Sequence, residues 1–197
     1  MTEAYHTYQR LVERVEALAR DIRQRYPTQV TCHAGCDACC YQQFTIFPVE
    51  AWHLAQAVTR LSPEVRQRLR LRLEQPDNPL QMAASAQPCV LLQDGRCSVY
   101  EGRPLICRMQ GLPLFSMMII RPDGGRRDCC PLNFTDMALE DIDAQAVYNL
   151  DLVNQTLAAI HHLFIQERAQ PDQRVSIRQA VLPALAACSA AEADDTP

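Results

Sequence analysis

Apolar residues recur with helical spacing at the start of the chain. Leu11, Val15, Leu18 and Ile22 follow one another at four, three and four residues, which puts them on one stripe of a helix. Tyr26-Pro27 ends that helix, because the residue before a proline disfavours helical geometry. A second helix is predicted to begin near Pro48, with proline in its first turn and Glu50 where the helix dipole favours an acid. Ser62-Pro63-Glu64 reads as the cap and first turn of a third helix running to about Gln75. Its segment "RQRLRLRLE" is rich in arginine and is expected to form a solvated face. Pro76-Asp77-Asn78-Pro79 then breaks the pattern, and a loop continues to Pro88.

Further along, the pattern shortens. "CVLLQDGRCSV" reads as a small hairpin, because both residues of Asp94-Gly95 accept the positive φ of a two-residue turn. A strand is expected within Leu114 to Ile120, and Asp123-Gly124-Gly125 turns the chain toward Cys129-Cys130. From about Asp136 to Arg168 a helical face carries Val147, Leu150, Leu157 and Phe164, with Asn154 and His161 in the same stripe. "SIRQAVLPALA" predicts a short final helix bent or ended by Pro183. The tail "SAAEADDTP" is small and acidic and is expected to be disordered. The fold class expected is mainly α (α+β), a helical domain with a small β-hairpin and a cysteine-bound metal centre. It is one domain over 1–188, with a cysteine region at about 31–130, a helical region at about 136–188 and a tail at 189–197.

Cysteine placement changes this picture most. Ten cysteines occur in 197 residues, and nine fall in clusters. "CHAGCDACC" holds Cys32, Cys36, Cys39 and Cys40. "CVLLQDGRCSVYEGRPLIC" holds Cys89, Cys97 and Cys107, and "DCC" holds Cys129 and Cys130. Converging thiolates bind zinc or iron in tetrahedral arrangements. Cys36 and Cys39 can turn around one metal, and Cys32 adds a sulfur from the preceding turn. In extended backbone Cys39 and Cys40 point to opposite sides, so they are expected to feed two metals or two corners of a cluster. The hairpin brings Cys89 and Cys97 together. With one of Cys129 and Cys130, the set reaches eight thiolates, enough for two four-sulfur sites. Cys188 stands alone in an alanine-rich helix and reads as a small core residue.

Charge and composition remove other functions. The net charge is −4, which argues against a nucleic-acid partner. All nineteen basic residues apart from histidine are arginine, so lysine Schiff-base and P-loop chemistry are excluded. The first residues lack the basic start and apolar core of a signal peptide, and no apolar run approaches the ~20 residues of a membrane helix. A cytoplasmic location without membrane contact is expected, where clustered thiols bind metal rather than form disulfides.

The cysteine segment, "EAWHLA" with Glu50-Ala51, and Cys97-Ser98-Val99-Tyr100 with Arg103-Pro104 and Cys107-Arg108 together resemble the YkgJ-type cysteine-cluster family, a zinc- or iron-chelating domain. The resemblance spans roughly Thr31 to Arg108. It departs from the pattern in the three-residue gap between Cys32 and Cys36. The resemblance implies a metal site without implying a reaction. Flagellin lysine methylases carry a related cysteine domain, which keeps a cluster-dependent methyltransferase or oxidoreductase as an alternative, beside an interaction module with purely structural zinc. The expected cofactor is an iron–sulfur cluster or iron, with zinc as the alternative, because so many thiolates come without an obvious histidine ligand. The expected partner is therefore the metal ion. Arg103 and Arg108 flank Cys107 and either meet an anion or form a structural salt bridge. Tyr100 reads as a core or hydrogen-bonding residue. His33 reads as a residue of the cluster loop rather than a ligand.

Overall fold

The computed structural model describes residues 2–74 and 87–194. Among these, six α-helices run in order: α1 (Glu3–Arg25), α2 (Pro48–Thr59), α3 (Pro63–Glu74), α4 (Leu105–Met109), α5 (Leu150–Arg168) and α6 (Ile177–Asp194). Seven two-residue strands accompany them: β1 (Thr45–Ile46), β2 (Leu92–Gln93), β3 (Arg96–Cys97), β4 (Leu114–Phe115), β5 (Arg127–Asp128), β6 (Tyr148–Asn149) and β7 (Val175–Ser176). The fold is mainly α with small β elements, as the patterning predicts. The chain divides into two compact units, one of Met1–His33 with Leu105–Gln170 and one of Ala34–Pro104 with Pro171–Pro197. Their boundary falls inside the first cysteine cluster, between His33 and Ala34.

The first unit is built on α1 and α5. Thr2 caps α1 by accepting from the Tyr5 N–H at 3.3 Å, which satisfies one of the open donors of the first turn. Arg23 and Arg25 close the helix, where cations suit the dipole, and Tyr26-Pro27 ends it as expected. Tyr8, Val15, Ala19 and Ile22 of α1 are buried, as are Leu157, Ile160, His161 and Phe164 of α5. A mixed sheet of order β5-β4-β6 completes the unit. β4 pairs with β5 antiparallel, Leu114 opposite Asp128, and with β6 parallel, Leu114 opposite Tyr148. The Tyr148 hydroxyl donates to the Val15 carbonyl at 2.6 Å.

Several expectations here need correction. The strand expected within Leu114 to Ile120 stops at Phe115, because Ser116 and the Met117 N–H bond to Asp151 at 2.6 and 2.8 Å instead of continuing the ladder. The long helix expected from Asp136 begins only at Leu150. Asp143 caps a short 3₁₀ turn by accepting from Gln145, and Asn149 caps α5 by accepting from Leu152. Asn154 is exposed rather than part of the buried stripe.

In the second unit α2 and α3 pack on α6 around Ile46, Leu54, Val58, Leu69, Leu91, Val99, Val181 and Leu185. Full burial of each such aliphatic side chain contributes about 1.5–3 kcal/mol. Pro48 opens α2 as predicted, and the buried Glu50 carboxylate accepts from the Phe47 N–H at 3.0 Å. β1 pairs with β7, Thr45 opposite Ser176. Pro183 does not end the last helix, because α6 continues to Asp194. It therefore reaches into the segment expected to be a disordered tail. The predicted end of α3 at Gln75 and the loop from Pro76 to Asn78-Pro79 lie outside the described residues. Nor is the arginine face of α3 simply solvated. Arg66 donates to the Thr59 and Leu61 carbonyls, Arg70 to Leu185, and Arg72 to Val90 and Leu92.

Candidate metal centre

The second unit carries five thiols on two local turns. Gly35 has a positive φ of 99°, and a short 3₁₀ turn follows over Ala38–Tyr41. It is closed by Cys40 N–H donating to the Asp37 carbonyl at 2.7 Å. That geometry replaces the extended backbone expected for Cys39-Cys40. Their side chains lie on the same side, close enough for the Cys39 thiol to hydrogen-bond with Cys40.

The hairpin forms as predicted. Asp94 and Gly95 have φ of 49° and 72°, and Leu92 pairs with Cys97. Cys89 N–H donates to the Cys40 carbonyl at 2.7 Å, which ties the hairpin's first strand to the cluster turn. At the tip, a Cβ added to Gly95 would lie 3.7 Å from the Gly35 backbone. Cys36, Cys39, Cys40, Cys89 and Cys97 are all half-buried and free of disulfides.

The electrostatics show which sulfurs neighbour one another. The hydrogen bond with Cys40, followed by burial, holds the Cys39 thiol well above its ordinary range. Burial pushes Cys89 up, and the Cys97 and Cys39 sulfurs add to it, while Arg72 opposes. Burial likewise raises Cys97, opposed by Arg103. The Arg103 charge thus acts on both Cys39 and Cys97. Arg103 is held by its Nε bond to the Tyr100 carbonyl at 2.8 Å and by stacking 3.5 Å above the Tyr100 ring. Tyr100 is exposed, which leaves the hydrogen-bonding half of the expected core or hydrogen-bonding role.

A different set lies in the first unit. Cys32 lies before the boundary, and Cys107 (on α4), Cys129 and Cys130 lie in the same unit. The organiser is Asn133, which is buried. Its Oδ1 accepts from the Thr31 N–H and hydroxyl, both at 2.9 Å. Its Nδ2 donates to the Gly111 carbonyl at 2.6 Å and to the Cys32 sulfur at 3.3 Å. β5 leads into Cys129, whose N–H donates to Asp128 at 2.9 Å and whose thiol donates to the Cys130 and Asn133 carbonyls at 3.4 and 3.6 Å. Burial, then the Asp128 and Cys130 charges, push the Cys129 thiol up to about 11.

Other candidates take structural places. Arg108 is buried and pairs with Glu16 at 2.6 Å, so it is the salt bridge rather than the anion ligand of the two readings. His33 is exposed, its Nδ1 donating to the Thr31 carbonyl at 2.8 Å. Cys188 is half-buried on α6. Among the described residues, no group of three or more Cys, His, Asp or Glu side chains is placed to hold a metal ion. Thiolates are the donor type that a borderline-soft cation takes, and the Arg103 charge acts against the rise of the Cys39 and Cys97 thiols. Asn133 and Gly111 were not foreseen. One asparagine three residues after a Cys-Cys pair gives no periodic signal.

Residues 31–118 match the family model described as "CxxCxxCC: Putative zinc- or iron-chelating domain". No curated protein and no solved structure shows a significant match. The matched segment covers seven of the clustered cysteines and ends before Cys129 and Cys130.

Proposed function

From the membership of residues 31–118 in the CxxCxxCC family, we propose that the protein binds metal through an all-thiolate centre in its second unit, with Cys36, Cys39, Cys40, Cys89 and Cys97 as the donors. The observation that carries this is the meeting of the cluster turn and the hairpin. The Cys40 carbonyl bonds to Cys89, and Cys39 lies within the electrostatic reach of both Cys89 and Cys97.

Five sulfurs with an adjacent pair in contact suit a cluster of more than one iron better than a single ion, which takes four ligands. We therefore favour iron or an iron–sulfur cluster, with zinc as the alternative. A bound metal would supply the positive charge that lets thiols of raised pKa give up their protons. Arg103 adds to that field from the protein side, and Arg72 does so at Cys89. Metal uptake should then release protons and strengthen as pH rises.

Anaerobic purification with elemental analysis and a visible spectrum tests the reading. Iron with sulfide-to-iron charge-transfer absorption supports the cluster. Colourless protein holding zinc moves the reading to the zinc alternative. Folded, metal-free protein with ten titratable thiols that takes up neither ion would end it.

A further inference from the structure

Helix α5 has a second face that the protein leaves uncovered. From Leu152 to Gln166 the helix holds no Asp, Glu, Lys or Arg, although a surface helix ordinarily turns charged residues to solvent. Leu152, Thr156, Ala159 and Leu163 follow one another at four, three and four residues, the spacing of a seam that packs on another helix. Leu157, Ile160, His161 and Phe164 form the buried face of α5, and the seam runs beside it. Leu152 and Leu163 are 60 % and 52 % exposed, and Ala159 is exposed between them. The Thr156 hydroxyl donates to the Leu152 carbonyl at 2.8 Å, so covering it would strand no polar group. A loop extends this face. Ser116 and the Met117 N–H bond to Asp151 at 2.6 and 2.8 Å, and Arg126 donates to the Met117 and Ile119 carbonyls. These bonds fasten the loop at the first turn of α5, with Met117 61 %, Met118 85 % and Ile120 75 % exposed.

We propose that this face docks on the same face of a second copy of the chain, with the two α5 helices antiparallel about a two-fold axis. The seam suits itself when reversed, since a leucine closes each end and two small residues stand between. Antiparallel pairing sets Leu152 of each copy against Leu163 of the other, and Thr156 against Ala159. Such a contact is isologous and closes at two copies. The charges fit as well. Asp151 stands in the first turn of α5 and Arg168 in the last, so antiparallel helices bring opposite charges and opposite dipole ends together at both ends. The loop of Met117, Met118 and Ile120 then covers Leu163 of the other copy. These side chains and the seam offer several hundred Å² per copy, on the order of the ~800 Å² that each side of a standard interface buries. A centre free of charge, with methionine beside it, is the composition of an interface core. A lipid surface fits less well, because a helix lying on a membrane carries basic residues along its polar face, and α5 has none from 152 to 166. The pairing uses no cysteine and does not rest on the metal reading.

The test is sedimentation velocity on the full chain over a range of concentrations, under reductant so that no disulfide joins the copies. The expected result is a monomer–dimer equilibrium in the micromolar range, the weak end for an interface of this size. Ala159→Arg sets like charges near the two-fold centre and should weaken dimerisation at least about a hundredfold. Because Ala159 is exposed, this variant should keep the wild-type helix signal in circular dichroism. Leu152→Glu/Leu163→Arg should dimerise more tightly than Leu152→Glu alone, because opposite charges then meet across both ends. Hydroxyl-radical footprinting gives a reading without variants. Met117 and Met118 should oxidise several-fold more slowly in the dimer than in the monomer. A monomer at every concentration would overturn the proposal and leave the face to a different protein. A dimer that Ala159→Arg does not weaken, or that leaves Met117 and Met118 as reactive as in the monomer, would put the contact elsewhere and overturn it too. A double variant no tighter than the single one would overturn the antiparallel pairing.

Discussion

The two units hold their cysteines by different means. In the second unit the sulfurs are presented by local structure, a 3₁₀ turn at Ala38–Tyr41 and a hairpin turning at Asp94-Gly95. The thiols meet each other there, and the nearby cation is an arginine lying over an exposed ring. In the first unit Cys32 is about a hundred residues from its partners, and a buried asparagine holds the group together. Local turns set the backbone of their cysteines once each segment folds. A long-range latch such as Asn133 on Cys32 forms only when the whole unit has folded. The family match covers the locally built set together with Cys32 and Cys107 of the first unit, and stops short of Cys129-Cys130.

The largest effect that would break this comparison is loss of a shared sulfur. Cys97→Ser should remove the metal of the second unit and with it the metal-linked stability, on the order of 10 kcal/mol for structural thiolate sites. Trp52 on α2, the single tryptophan, reports this unit. Its fluorescence melt should shift upward with metal in the wild type and should not respond to metal or chelator in the variant. A metal response surviving in Cys97→Ser would show that the hairpin is not part of the site.

Arginines sharpen the contrast at a smaller scale. Arg108→Ala strips the partner from Glu16 inside the first unit. Removing one member of a buried pair costs about 3–5 kcal/mol, and Glu16, 26 % exposed, places this case near the lower end. Metal content should not change. Arg103→Ala should do the opposite. Losing an exposed cation–π contact costs about 0.5–1 kcal/mol, while the field that opposes the rise of the Cys39 and Cys97 thiols disappears. Metal affinity at neutral pH should fall while the denaturation midpoint barely moves. Chelator competition and urea denaturation on both variants check the pair. Equal metal loss in the two would erase the distinction between a structural and a site arginine.

What could be seen in the sequence was what local chemistry decides. Tyr26-Pro27, Pro48 with Glu50, and Asp94-Gly95 each act within a few residues, and each element appears where they place it. The Asp136 to Arg168 stripe misled because Val147 has helical spacing from Leu150. The chain there belongs to a parallel pairing of β6 with β4, more than thirty residues away. Pro183 misled in the other direction. Packing of Val181, Ala184 and Leu185 in the core keeps the helix going past a residue that removes a backbone donor. The two readings offered for Arg108 stayed balanced because its partner Glu16 is 92 residues distant. The cysteine clusters could be read as donors, but how they sort into two sets could not. The only trace of that division is the extra residue between Cys32 and Cys36, where the unit boundary falls.

The smallest expected difference is in alkaline stability without metal. Cys39, Cys89 and Cys97 of the second unit have raised pKa values, Cys39 chiefly through Cys40 and the others chiefly through burial. In the first unit Cys129 is raised to about 11. A folded thiol of raised pKa keeps its proton after the unfolded chain has lost its own. The unfolded state then binds fewer protons, and stability falls as pH climbs. The loss begins near the ordinary value of 9.0 and, for Cys129, levels off above about 11. Three such thiols against one make the decline steeper in the second unit just above pH 9. Tyr148, also raised by burial, adds to the first unit only at higher pH. Urea midpoints from Trp52 fluorescence would follow the second unit. Exchange of the 150–168 peptide, pulse-labelled at one fixed pH, would follow the first. Metal loading should flatten the second-unit curve, because bound thiolates have no proton left to lose. Parallel declines in both units, or a slope unchanged by metal, would show that the raised thiols of the second unit are not the groups the metal deprotonates.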